Sequence, residues 1–219
     1  KDRSDQDPII LCGGPCTYNP EPIADFCDLC YIGEGEISYD ALLSLYKDMK
    51  HAGNYTRAEF LRKAAQIPGI YVPSLYEVTY QEDGTIAAMT PCFADVPEKV
   101  KRQVLVNMDE GAYPTKPLVP FVRATQDRVV LEIQRGCIRG CRFCQAGMVY
   151  RPNREKSLDL LKTYAKEMLD STGHEEISLS SLSSSDYTQL PELINFLIED
   201  CCGDGVNISL PSLRIDAFS

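Results

Sequence analysis

The chain has 219 residues, 44% of them hydrophobic, and a formal net charge of −10. That is enough apolar material for a sizeable core; the acidic balance weakens any case for broad nucleic-acid binding, and the lack of a run of about eighteen apolar residues argues against a membrane span. Ten cysteines, diluted among ordinary core residues, do not make the framework of a small secreted domain, which is shorter and carries roughly 8–10% Cys or more; they point to a reducing, cytoplasmic setting.

No signal-peptide pattern lies near Lys1, and because the first residue is not Met the native N-terminus is expected further upstream. The run PIILCGG (8–14) reads as a buried strand closed by a glycine turn, and LCYIGEGE (29–36) repeats that shape. A helix is predicted from about Ile37 to Lys50, with Leu42, Leu43, Leu45, Tyr46 and Met49 on its apolar stripe and Gly53 to stop it. These are parts of an α/β layer, but two strands are too few to complete one. A short helix follows at 57–66. Then YEVTYQEDGTIAAMTP reads as a hairpin turning at Asp83-Gly84, and prolines at 91, 97, 114, 117 and 120 mark irregular chain. From Arg128 the alternation is regular: strand 128–134, helix 157–169 with Ser157 as N-cap, strand 176–182, helix 189–200, strand 206–210. This spacing implies parallel strands joined by helical crossovers, the opening of a barrel or an open α/β sheet.

Three polar loops follow the three late strands: 135–156, SSSDY (183–187) and PSLRID (211–216). In parallel α/β folds sites form at the C-terminal ends of strands, so the loops are expected to meet on one face. The first loop contains RGCIRGCRFC, with Cys137, Cys141 and Cys144 spaced C-x3-C-x2-C. A disulfide would use two thiols and strand the third. A structural zinc ion normally takes four protein ligands, and the only histidines, His51 and His174, are distant in sequence. Three closely spaced thiolates suit an iron–sulfur cluster with one iron left open to a small molecule, while zinc or structural thiols remain the alternative. Gly136 and Gly140 let the backbone wrap closely. Arg135, Arg139, Arg142, Arg151, Arg154 and Lys156 offset the negative charge, with only Glu155 against them; a solvated basic face is the other reading of that stretch.

The C-x3-C-x2-C spacing with aromatic Phe143 before the last cysteine resembles the signature of the radical S-adenosylmethionine enzymes. The longer string LEIQRGCIRGCRFCQAGMVYRP, with CGGPCTYNPEP and YIGEGE upstream, is similar to the branch of Fe–S oxidoreductases that carries an N-terminal cobalamin-binding domain. The resemblance implies a three-part chain, read as an internal fragment of a larger enzyme. Residues 1–53 would be the Rossmann-like end of a cobalamin-binding domain, and 54–125 a linker with a helix and a β-hairpin. Residues 126–219 would be the first three βα units of a partial TIM-type barrel. The exposed edge of its third strand would favour self-association.

The resemblance also implies a 4Fe-4S cluster on Cys137, Cys141 and Cys144, with Phe143 beside the adenine of S-adenosyl-L-methionine. Many members hold the methionine amino group with a Gly-Gly-Glu stretch after the second strand. Here Ser183, Ser184, Ser185 and Asp186 stand in that place, a departure from the pattern. Ser209 and Arg214 are candidates for the carboxylate or the substrate, against the alternative of a turn and a surface ion pair. Gly13 and Gly14 match a glycine pair near the cobalamin nucleotide tail. The Asp-x-His-x-x-Gly stretch that ligates cobalt is absent, so no tight cobalamin binding is expected from these residues. Cys27 and Cys30 form a C-x2-C read as core packing; Cys12, Cys16 and Cys92 are scattered, and Cys201-Cys202 ends a helix.

The reaction implied is reductive cleavage of S-adenosylmethionine to methionine and a 5′-deoxyadenosyl radical. That radical takes hydrogen from an unidentified substrate, a small molecule or RNA, with an electron donor such as flavodoxin or ferredoxin. Two rivals belong to other classes: a non-catalytic Fe–S or zinc module binding RNA through 135–156, and an electron-transfer protein with all four irons capped by protein.

Overall fold

A computed structural model of the chain describes residues 3–122, 124–201, 203 and 205–215. Cys202 and Asp216, both singled out in the sequence, lie outside them. The chain divides into two compact units, Lys1–Leu105 and Val106–Ser219. The division falls inside the proline-rich stretch 54–125.

The first unit begins with β1 (Leu11–Cys12), β2 (Leu29–Tyr31), α1 (Tyr39–His51), α2 (Arg57–Ala64) and β3 (Ile70–Tyr71). β1 and β2 are parallel, and β3 runs antiparallel on the other side of β2, so this small sheet is mixed. β1 is shorter than the apolar run 8–14 suggests. The Ile10 amide donates to the Asp28 carboxylate at 2.7 Å instead of to a strand, and Gly13-Gly14 turn the chain out, Gly14 at φ 96°. Phe60 and Leu61 of α2 and Ile70 and Val72 pack with Leu29, Leu42 and Met49 into one core. α2 is capped by Thr56, whose hydroxyl accepts from the Glu59 amide at 3.3 Å, satisfying one of the open N–H groups of its first turn. The hairpin β4 (Tyr76–Tyr80) and β5 (Ile86–Pro91) follows. Its turn is held by the Asp83 carboxylate, which accepts from the Thr85 amide at 2.9 Å and the Thr85 hydroxyl at 2.6 Å, with Gly84 at φ 82°. Residues 81–85 are all exposed.

The second unit holds β6 (Val129–Glu132), β7 (Gln134–Arg135), α3 (Ala146–Val149), β8 (Arg154–Glu155), α4 (Leu158–Thr172), β9 (Glu176–Ser180), α5 (Leu190–Asp200) and β10 (Asn207–Ser209). β6, β9 and β10 are parallel in the order β10-β9-β6. Alternation along β6 buries Val129 and Leu131, and they pack with Ile177, Leu179, Leu161, Ala165, Leu193 and Leu197. The sheet thus rests on α4 and α5, as apolar positions at strand and helix periods require. Ser157 stands at the head of α4, but its side chain makes no capping bond; its amide donates to Asp109 at 2.9 Å instead. The helix ends at Gly173, in the left-handed region at φ 68°, a conformation glycine adopts without steric cost. Among the described residues β10 pairs with β9 alone. No helix of the described chain is long and apolar enough to cross a membrane.

Candidate functional site

The cysteine loop is pinched at its base. β7 and β8 pair antiparallel, Gln134 opposite Glu155 and Arg135 opposite Arg154, so the chain leaves and re-enters the sheet at one point. Gly136 makes the pinch possible. It sits at φ 86°, and a Cβ there would lie 2.6 Å from the Pro152 carbonyl and 2.7 Å from that of Tyr150. The buried Arg154 side chain ties the same strand of chain from inside, donating to the Pro152 carbonyl at 2.9 Å and to that of Tyr150 at 3.3 Å.

Within the loop Cys137, Cys141 and Cys144 are all free and half-buried. The Arg139 amide points at the Cys137 sulfur at 3.4 Å and the Gly147 amide at that of Cys144 at 3.3 Å. The Cys144 amide closes a turn on the Cys141 carbonyl at 3.1 Å. Phe143 stands out of the loop, 91% exposed, free to cover a flat ligand. Among the described residues no three His, Cys, Asp or Glu side chains are arranged to hold a single metal ion. A cube of four irons asks for something else: three separate thiolates, each on its own iron. Three free thiols on one short loop, two of them facing amide donors, fit that demand.

The second loop reaches this one, and the third reaches the second, through named contacts. Arg139 forms a forked pair with Asp186: Nε donates to Oδ2 at 2.9 Å and Nη2 to Oδ1. The Asp186 side chain is 8% exposed and that of Arg139 41%. The Ser183 hydroxyl also donates to Asp186, at 2.8 Å. The Arg139 hydrogen bonds, then that of Ser183, hold the Asp186 carboxyl below its ordinary pKa, and the charge of Arg214 in the third loop acts in the same direction. The Ser184 hydroxyl donates to the Pro211 carbonyl at 2.7 Å. Gln134, 2% exposed, donates from Nε2 to the Ser183 carbonyl at 2.6 Å. Its Oε1 and the Ser185 hydroxyl are buried with no partner among the described residues. Buried polar atoms are nearly always paired, so these two mark where a polar ligand or ordered water belongs. Ser209 is half-buried at the end of β10, with its backbone opposite Ser178. Gly13 and Gly14 belong to the first unit, and a Cβ on either would meet nothing within 4 Å.

The basic stretch is not a solvated face. Arg135 makes two 2.9 Å bonds to Glu132, Arg139 is held by Asp186, and Arg154 is buried against backbone carbonyls. Lys156 is 3% exposed, its ammonium 4.0 Å from the centroid of the Tyr113 ring, which stacks on Tyr164 at 5.2 Å; the aromatic faces supply the negative charge the ammonium needs. Only Arg142 and Arg151 of the six are exposed. Sequence reading missed the Arg139–Asp186 clamp and the buried Gln134. The signal for the first was Asp186 standing where a glutamate is expected; nothing in the local pattern marks the second.

Residues 131–218 match a family described as the radical SAM superfamily, and residues 1–73 match one described as radical SAM proteins, N-terminal. The uncharacterized protein MJ0966 of Methanocaldococcus jannaschii is 32% identical over 218 residues, a match covering 99% of this chain and 40% of that protein. The chain therefore spans about two fifths of the length of the curated relative it matches.

Proposed function

The chain belongs to the radical SAM proteins, and on that premise we propose that its second unit binds a 4Fe-4S cluster and S-adenosylmethionine at one mouth of the sheet. The observation that carries this is the clamp between the cysteine loop and the serine loop through Arg139 and Asp186. Cys137, Cys141 and Cys144 would hold three irons. When bound, the cluster supplies the electron that cleaves S-adenosylmethionine to methionine and a 5′-deoxyadenosyl radical.

The chain's own part is position and charge. Arg139 is kept from wandering by the forked bond to Asp186, so the loop holding the thiols and the loop expected to hold the methionine end keep a fixed spacing. Asp186 is already committed to a cation. The methionine amino group is therefore left to the uncommitted acceptors nearby, the Ser185 hydroxyl and Gln134 Oε1. Arg214 lies close enough for its charge to act on Asp186, and is placed to bring positive charge to a carboxylate. Phe143, standing free on the loop, would stack on adenine.

In an anaerobic reaction with dithionite, or with flavodoxin or ferredoxin as electron donor, the reconstituted protein is expected to release 5′-deoxyadenosine and methionine. A reconstituted cluster whose spectrum ignores added S-adenosylmethionine, with no 5′-deoxyadenosine formed, would mean an electron-transfer or structural cluster instead. RNA binding through 135–156 has little to rest on, since only two of its six cations, Arg142 and Arg151, are exposed.

The three parallel strands with their helices support the reading of residues 126–219 as part of a TIM-type barrel. The cobalamin link rests on the likeness of the cysteine string, CGGPCTYNPEP and YIGEGE, with Gly13-Gly14 as the matching glycine pair, and the Asp-x-His-x-x-Gly stretch is absent from these residues. Titration with hydroxocobalamin is expected to give no stoichiometric complex; a submicromolar one would reverse that reading. Free thiols at nine described cysteines support a reducing, cytoplasmic setting.

A further inference from the structure

The cysteine loop shows water four side chains that the proposed reaction does not use. No Asp or Glu stands between Glu132 and Glu155, in a chain whose formal net charge is −10. The two carboxylates that bound the loop are engaged at its base. Glu132 takes two bonds from Arg135, and Glu155 takes the Thr188 amide at 3.2 Å. Asp186, which reaches the loop from outside, is held by Arg139. The outer surface of the loop is therefore cationic and apolar. Arg142 and Arg151 are exposed, with Ile138 at 61% and Met148 at 54%.

These four border the three thiols. Ile138 follows Cys137 in the chain, and Arg142 follows Cys141. Met148 follows Gly147, whose amide points at the Cys144 sulfur at 3.3 Å. Arg151 returns from beyond α3, and its Nη2 donates to the Arg139 carbonyl at 3.5 Å. That carbonyl lies 3.7 Å from where a Cβ on Gly147 would stand, and the Cys144 sulfur is equally close to that point. The Arg151 guanidinium is thus held on the rim of the cysteines.

We propose that this rim docks an acidic electron-donor protein of the flavodoxin kind. Arg142 and Arg151 meet its carboxylates, and Ile138 and Met148 form the dry centre of the contact. The proposal rests on the cluster reading above. Charge complementarity selects the occupant. The net negative charge of the chain repels an acidic protein, so a basic rim orients it as well as attracting it. Size agrees. Four side chains make a small contact, and weak electron-transfer encounters lie at the low end of interface area, below about 1,200 Å². RNA binding draws on many cations, whereas an apolar centre inside a charged rim is how proteins meet one another. On docking, one electron passes from the reduced flavin of the donor to the cluster. The donor is oxidised by one electron, the cluster is reduced by one, and no atom or group is transferred.

The test measures binding of an acidic flavodoxin to the reconstituted 219-residue protein by surface plasmon resonance. Release of 5′-deoxyadenosine with dithionite, which needs no docking surface, is followed in parallel. Failure of the cleavage reading and failure of the docking reading therefore show separately. Wild type is expected to bind, and to bind more weakly as salt screens the charges. The double variant Arg142→Gln, Arg151→Gln is expected to lose affinity about tenfold in low salt and to lose most of the salt dependence. Its iron content and its rate with dithionite are expected to match wild type. Met148→Ala is expected to lose about fivefold with the salt dependence kept. Lys166→Gln, which removes an exposed cation on α4, is expected to bind as wild type does. Equal affinity in wild type and the double variant, or no binding by wild type in low salt, overturns the proposal whether or not S-adenosylmethionine is cleaved. So does single-stranded RNA that binds more tightly than flavodoxin and is released by the same two substitutions.

Discussion

Replacing any one of Cys137, Cys141 and Cys144 by alanine is expected to remove most of the iron that the intact protein takes up on anaerobic reconstitution, about four irons per chain for a cluster of this kind. The three thiols sit on one loop between Gly136 and α3, and no His, Cys, Asp or Glu among the described residues completes a metal site with them. A lost thiol therefore has no substitute. The loop itself should survive the change, because it is closed at the base by β7 and β8 and by the Arg154 side chain rather than by the sulfurs. Iron and sulfide analysis with the visible spectrum reads the result, and circular dichroism checks the fold. Full iron in all three variants would rule out the cluster assignment.

Asp186→Asn is expected to leave the iron in place and to weaken S-adenosylmethionine binding about tenfold, worth about 1.4 kcal/mol. Asparagine keeps the shape but not the charge, so Arg139 loses its forked ionic partner and the two loops lose their fixed spacing. Stability should fall by about 1–2 kcal/mol, the lower part of the range for hydrogen bonds to charged groups because Arg139 is partly exposed to water. The pH dependence follows from the depressed carboxyl. Its stabilisation is fully present above the unfolded pKa of about 3.9 and is lost as pH falls through the lower folded value. Wild type and Asp186→Asn should therefore differ fully at pH 7, begin to converge as pH falls through about 4, and become equal only below the folded value. Equal affinity for S-adenosylmethionine in the two proteins would show that the clamp does not position the site.

Much of the second unit was legible. β6, β9 and β10 lie within apolar, β-branched runs bounded by polar loops, and α4 and α5 carry apolar stripes at helical spacing. The hairpin was legible from Asp83-Gly84. What stayed hidden has particular physical causes. β3, at Ile70–Tyr71, and the β7–β8 pair are two residues long, too short for any period to show. Arg139 and Asp186 meet across 47 positions, a distance at which charge patterning along the chain is silent. Lys156 reads as a surface charge until Tyr113 and Tyr164 are brought over it. That Cys12 stands opposite Cys30 needed the register of β1 and β2, since C-x2-C by itself does not announce a third cysteine.

The hairpin of β4 and β5 has a practical use. Its tip, 81–85, is exposed, and its turn is held by bonds from Asp83 to Thr85 within the tip itself. Few side chains of β4 and β5 enter the core. Foreign sequence spliced between Glu82 and Thr85 would disturb only bonds within the tip, those of Asp83 and the backbone bonds joining Gln81 to Gly84 and Thr85, and such tips are where protein chains tolerate interruption. An epitope or a fluorescent reporter carried there would leave the buried core of the first unit undisturbed.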